Sequence, residues 1–146
     1  MPAGTPPQRD ELLDLLLAAV VEPALDPAQP VFVYHFPASQ AALARIRPGD
    51  PPVAERFELF LGGMEIANGF HELTDADEQG RRFDRELARR AQQGDCVPPR
   101  DDALLAALEA GMPDCSGVAL GLDRLLMYLA DVDDIREVLT FDLTRA

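Results

Sequence analysis

Lysine is absent from this 146-residue chain, and all 13 of its basic residues are arginine. Against 26 acidic residues they leave a formal net charge of −13. A long nucleic-acid backbone is gripped by a basic surface, and this chain has none overall. Cysteine is scarce as well. Cys96 and Cys115 are too few for a disulfide framework or a metal knuckle, and neither has a His or basic partner nearby in sequence. Long hydrophobic runs are also missing. The longest, around "LLDLLLAAVV", is broken by Asp14 and too short to span a bilayer. The opening "MPAGTPPQRD" has neither the basic start nor the apolar stretch of a signal peptide. A cytoplasmic protein with no membrane partner is expected.

What is present suits one globular domain. The apolar fraction is 47%, and the length is enough to bury a core. Residues 1–9, rich in proline and small side chains, are expected to be disordered, and residues 10–146 to form the domain. Acidic pockets suit cationic substrates and divalent metals, although solvated acidic faces give the same composition.

Apolar spacing predicts a helix over Asp10–Val21, capped by Asp10 and closed by Pro23. "PVFVYHFP" (Pro30 to Pro37) reads as a buried strand, with Tyr34, His35 and Phe36 expected in core roles rather than on a ligand. "SQAALARI" reads as a short helix capped by Ser39, and "RPGDPP" as a loop. "ERFELFLGGMEIANGF" reads as two strands joined at Gly62-Gly63. A long helix follows, capped by Thr74 and stopped by Gly94; its arginines (81, 82, 85, 89 and 90) read as a solvated face supported by acids four residues away, with nucleic-acid contact as the alternative. "DDALLAALEAGM" is a second helix. "CSGVALGLDRLLMYLAD" reads as strand, glycine junction and helix, and "IREVLTF" as a last strand. Adjacent hairpin strands with separate helices predict an α+β fold, an antiparallel sheet flanked by helices.

Pairing across the Gly62-Gly63 turn sets Phe60 opposite Glu65 and Glu58 opposite Ala67. Opposed residues share a face, so Glu58 and Glu65 become diagonal neighbours about 6–8 Å apart at Cβ. Two carboxylates at that spacing repel unless a cation lies between them. Mg²⁺ carrying substrate phosphates fits; so does an ordinary wet sheet face. Asn68, Phe70 and Glu72 have the opposite parity to Glu65 in a regular strand. A bulge or twist at Gly69 would bring all of them to one pocket.

"GVALGLDR" carries a second signal. Gly121 allows a sharp turn and a close ligand approach. Arg124 falls in the first turn of the following helix, where the macrodipole disfavours a cation. A bound phosphate would reverse that penalty, and an ion pair with Asp123 or another acid would offset it.

Together, "RFELFLGGMEIANGFHELTDADEQ" and "GVALGLDRLLM" resemble the C-terminal portion of a class II aminoacyl-tRNA synthetase catalytic domain, in its lysyl-tRNA synthetase subgroup. "FVYHFPASQAALA", "GFHELTDA" and "GMPDCSGVALGLDR" are similar, more narrowly, to the elongation factor P–(R)-β-lysine ligase family. That family consists of lysyl-tRNA synthetase paralogues without an anticodon-binding domain. The resemblance runs from about Asp10 to Ala146. It implies ATP and Mg²⁺ as cofactors and lysine or (R)-β-lysine as substrate, activated as an adenylate. The acceptor would be a lysine of elongation factor P or, alternatively, tRNA-Lys. A non-catalytic module of the same fold is the remaining alternative.

On matching positions the resemblance gives Glu58 and Glu65 to metal, and Glu65, Ile66, Gly121 and Arg124 to ATP, with Arg124 also catalytic. Asn68, Phe70, Glu72 and Ala119 go to the amino acid, with Glu72 pairing with its ammonium group. Ala119 stands where lysyl-tRNA synthetases typically have glycine, and His71 where "GFSEL" has serine. Two family features are missing. Neither motif 1, at the dimer interface, nor motif 2, an arginine-bearing hairpin that holds the α-phosphate, is found. A complete active site is therefore not expected from this chain alone. Bared strand edges and apolar surface would favour a homo-oligomer.

Overall fold

The computed structural model describes residues 9–143. Most of the segment expected to be disordered lies outside them, although Arg9 already belongs to the first helix. Helix α1, Arg9–Leu16, continues as a wider π-helical turn, Leu17–Val21, and tightens into a 3-10 turn, Glu22–Ala24. Pro23 therefore sits inside that last turn rather than closing the helix before it. Asp10 is inside α1 and not its cap; its carboxylate accepts from Ser39 Oγ at 2.8 Å.

Strand β1 is Val31–Tyr34. It is followed by a small ribbon, β2 (Ile46–Arg47) and β3 (Val53–Ala54), on either side of the "RPGDPP" loop. Strands β4 (Arg56–Leu61) and β5 (Met64–His71) form the expected hairpin. Its turn glycines both have positive φ, 58° at Gly62 and 77° at Gly63, the left-handed pair a tight primed turn requires. Helix α2 is Ala76–Gln93 and α3 is Asp102–Ala110. Strand β6 (Ser116–Leu120) leads through Gly121 into α4, Leu122–Ala130. The main sheet is four-stranded and antiparallel, in the order β1-β4-β5-β6. The α+β expectation therefore holds.

Several local readings change. β1 is an edge strand and not a buried one: Phe32 and Tyr34 are 55% and 62% exposed, while only Phe36 beyond it is buried. Alternation on a single edge strand leaves every second side chain without a cover. The "SQAALARI" segment forms just a 3-10 turn, Ala38–Gln40, because Ala42 adopts a positive φ of 48° that ends any helix. Asp75, not Thr74, caps α2, accepting from the Glu78 amide at 2.8 Å. "IREVLTF" forms a 3-10 turn over Ile135–Glu137 instead of a strand, nucleated by Asp134 accepting from the Arg136 amide.

The arginines of α2 are paired along its own surface. Glu78 engages Arg81, Arg82 and Arg85, and Glu86 engages Arg89 and Arg90, which matches the solvated-face reading. A small core of Phe36, Ala41, Ala44 and Ala54 packs with Leu17, Val33 and Phe70 beneath one end of the sheet.

Candidate functional site

The β4–β5 register decides where the candidate side chains point. Leu61 faces Met64 and Phe60 faces Glu65, as the turn requires. The register then slips by one residue: Leu59 faces Ala67, Glu58 faces Asn68, and Arg56 faces Phe70. Ile66 is the extra residue, so the break in alternation lies there and not at Gly69. Glu58 opposes Asn68 rather than Ala67. An inserted residue inverts the parity of all that follows. Glu65, Asn68 and Phe70 therefore share a face with Arg56, Glu58 and Phe60. Across the next ladder, Asn68 faces Ala119 and Phe70 faces Gly117, which adds β6 to the same face.

The slip also frees two carbonyls for the glycine junction. The Gly121 amide donates to Ile66 O at 2.8 Å, and Arg124 Nη1 donates to Glu65 O at 2.8 Å. Arg124 is thus held by a backbone oxygen at the strand's slip; no Asp123–Arg124 ion pair forms among the described residues. A β-carbon at Gly121 would sit 3.6 Å from Ile66 O and 3.7 Å from Arg124 Cδ. The Ile66 side chain is buried, so this residue offers a ligand only its backbone.

Glu58 is buried at the centre of the group. Its Oε1 takes the Arg56 Nη2 ion pair and a 3.3 Å bond from Asn68 Nδ2. Burial pushes its carboxyl above the ordinary carboxylate range, against the pull of Arg56; the nearby Glu65 charge adds to the rise. Arg56 was not among the residues singled out from sequence. It lies over the Phe36 ring at 4.4 Å and donates to Gln40 O at 3.2 Å. The i, i+2 spacing of Arg56 and Glu58 on one strand was the signal available for it. Two buried atoms here have no partner, Arg56 Nε and Asn68 Oδ1. A buried amide oxygen left open is costly and marks a place where a donor is wanted.

Glu72 follows β5, its amide donating to Cys115 O at 3.0 Å. Its carboxylate lies directly over Gly117, where any β-carbon would collide with Oε1. Gly117 is therefore a second residue that sequence reading missed. Neither Glu65 nor Glu72 has a side-chain hydrogen bond or ion pair among the described residues, so both carboxylates are open to a cationic ligand. Ala119 is exposed on the edge strand and Phe70 is half-buried against the small core.

The donor set fits Mg²⁺ in part. Glu65 is open, and Glu58 retains one oxygen not taken by Arg56 or Asn68. No group of three or more His, Cys, Asp or Glu among the described residues could hold a metal. A metal here would complete its octahedron with water and substrate phosphates. A cleft of about 840 Å³ lined by α1 and α2 reaches Arg56, but polar groups along it satisfy one another, as in Gln40–Asp14 and Arg82–Glu78. No helix among the described residues is long and apolar enough to cross a membrane.

Comparison with known proteins gives the family. The family described as tRNA synthetases class II (D, K and N) matches residues 19–145. An elongation factor P–(R)-β-lysine ligase from Klebsiella pneumoniae subsp. pneumoniae is 54% identical over 144 residues, 99% of this chain and 44% of that protein. The one from Edwardsiella ictaluri is 56% identical over 138 residues, 94% of this chain and 42% of its own length. The one from Salmonella arizonae is 53% identical over 144 residues, again 99% and 44%. The chain spans less than half the length of these curated relatives.

Proposed function

This chain belongs to the class II tRNA synthetases of the D, K and N group, a family that uses ATP, and from that premise we propose that it carries the metal- and amine-binding half of a lysyl-type adenylate-forming ligase. Glu58 and Glu65 would hold Mg²⁺. When bound, that ion supplies charge neutralisation at the phosphates. Glu65 and the Ile66 backbone lie along the nucleotide, Gly121 leaves room for the adenosine, and Arg124 binds a terminal phosphate. Asn68, Phe70 and Ala119 shape the amino-acid pocket, and Glu72 pairs with the substrate ammonium.

The reaction needs no protein nucleophile or base. The substrate carboxylate attacks the α-phosphorus and pyrophosphate leaves. An acceptor amine then attacks the acyl carbon and AMP leaves. Catalysis rests on positioning and on charge stabilisation at the phosphates. By analogy with the relatives' names, the amino acid is (R)-β-lysine and the acceptor is elongation factor P. The compartment is the cytoplasm.

The observation that supports this most is the one-residue slip at Ile66, which gives Glu58, Glu65, Asn68 and Phe70 a common face. Pyrophosphate exchange into ATP tests it. Alone, the chain is expected to show no robust exchange with lysine or (R)-β-lysine, since nothing among the described residues supplies an α-phosphate arginine hairpin. Mixed with a polypeptide carrying the part of the Klebsiella relative that it does not span, it should gain (R)-β-lysine-dependent exchange. Glu65→Gln or Arg124→Ala should then cost about 100-fold or more. Robust exchange by the chain alone would overturn the half-site reading. Transfer to tRNA-Lys in place of elongation factor P would overturn the acceptor.

A further inference from the structure

His71 lies next to Glu72 but on the opposite face of β5, paired with Ser116. Its ring is held from two sides by chain segments distant in sequence. Nδ1 is 2.8 Å from Glu55 Oε2, just before β4, and Nε2 is 2.8 Å from Asp114 Oδ1, just before β6. Arg45 Nη1 completes the cluster, 2.6 Å from the same Asp114 oxygen and 2.9 Å from Nε2. The backbone reinforces the arrangement: the His71 amide donates to Glu55 O, and the Arg45 amide to His71 O, both at 2.8 Å. One residue further on, the Glu72 amide is bonded to Cys115 O, the neighbour of Asp114.

We propose that His71 is a positioning residue for the amine pocket: by tying Asp114 to the end of β5, its ring holds the start of β6 so that Gly117 stays beneath the Glu72 carboxylate. The proposal rests on the reading of Glu72 as the ammonium partner.

The chemistry makes this link dependent on protonation. Only an imidazolium can donate from both nitrogens, so the contacts to Glu55 and Asp114 are satisfied together in that form alone. The charged groups facing the ring are Glu55, Asp114 and Arg45. Asp114 above all, then Glu55, hold the His71 pKa above the ordinary imidazole range, while Arg45 opposes them. A histidine whose folded pKa is raised contributes its stabilisation fully below the unfolded value. That contribution is lost as pH rises through the folded value. Once neutral, His71 donates from one nitrogen only: as the Nδ1–H tautomer it keeps Glu55, Nε2 accepts from Arg45, and Asp114 is left to Arg45 alone.

Heteronuclear NMR of the 146-residue chain tests this without a turnover assay. The His71 ring nitrogens should titrate with a midpoint above that of a free imidazole. The amides of Glu72, Cys115 and Gly117 should follow the same midpoint. In His71→Gln those amides should shift and lose that titration while the rest of the spectrum is kept. Asp114→Asn should lower the His71 midpoint, and it carries the test if the histidine variant does not fold. Glu72 and Gly117 amides that ignore both the pH and the substitutions would overturn the proposal. Pocket amides that follow His71 but respond to neither lysine nor (R)-β-lysine would support the link and overturn the ammonium reading of Glu72.

Discussion

The two faces of the β1-β4-β5-β6 sheet carry opposite chemistry on the same strands. One presents Arg56, Glu58, Glu65, Asn68, Gly117 and Ala119, with Phe70 anchoring it to the small core. The other presents Phe57, Leu59, Ala67 and Gly69, flanked by Phe32, Tyr34, Val118 and Leu120 on the edges. All four flanking side chains are exposed. On α4, Leu122, Leu126 and Leu129, spaced to share one side of the helix, are exposed as well. A polar face in water is ordinary. An apolar face in water marks a surface built to be covered. The first face holds the candidate chemistry and the second is apolar and exposed at its edges.

Two glycines on neighbouring strands, Gly69 on the apolar face and Gly117 on the polar one, give the largest test. A β-carbon at Gly69 would lie 2.5 Å from the Phe57 ring and 2.9 Å from Gly117 O. Neither a packed ring nor a backbone oxygen gives way easily. Gly69→Ala is expected to cost about 2–3 kcal/mol, a fall in Tm of roughly 5–10 °C. At Gly117 the obstacle is only the tip of the Glu72 side chain, which can swing aside. Gly117→Ala should therefore change stability by less than about 1 kcal/mol while displacing the Glu72 carboxylate, the proposed partner of the substrate amine. Equal losses of Tm in the two variants would erase the distinction between a packed face and a binding face.

Glu58 offers a smaller test with a defined sign. Its raised pKa means that the charged form is less favourable in the folded chain than in the unfolded one. That penalty is present at neutral pH and disappears as pH falls through the folded pKa. Glu58→Gln should raise Tm at pH 7, with the unpaired Arg56 limiting the gain. The advantage should shrink in melts at progressively lower pH. A lower Tm at pH 7 would mean that the Arg56 ion pair outweighs the burial of Glu58.

The smallest effect on stability belongs to the apolar face. The wild-type chain is expected to self-associate through Phe32, Tyr34, Val118 and the α4 leucines. Val118→Glu with Leu129→Glu should shift sedimentation toward the monomer, with unfolding free energy changed by about 0.5 kcal/mol per site or less. A wild-type chain that sediments as a clean monomer would show that this face needs no cover.

Much of this fold was legible in the sequence because local signals agreed with it. The Gly62-Gly63 turn, the Gly94 stop of α2 and the strand–glycine–helix order around Gly121 depend on neighbours in the chain. The misread segments depend on distant ones. "SQAALARI" has helical composition, yet Ser39 and Gln40 are bonded to Asp10 and Asp14 of α1, and Ala42 turns the other way. "VFVY" is apolar enough for burial, but its place at the sheet's edge exposes alternate residues. Arg56 and Gly117 escaped notice because their meaning lies in cross-strand partners.

The sequence by itself determined the family, the hairpin and the residue types that chemistry of this kind requires, since each is written in contiguous stretches. Only the tertiary structure decided that these residues share one face of the sheet. A strand's parity changes with a single inserted residue, and no local propensity marked Ile66 as that residue. The slip is stabilised by Gly121 and Arg124, which reach Ile66 O and Glu65 O from more than fifty positions away.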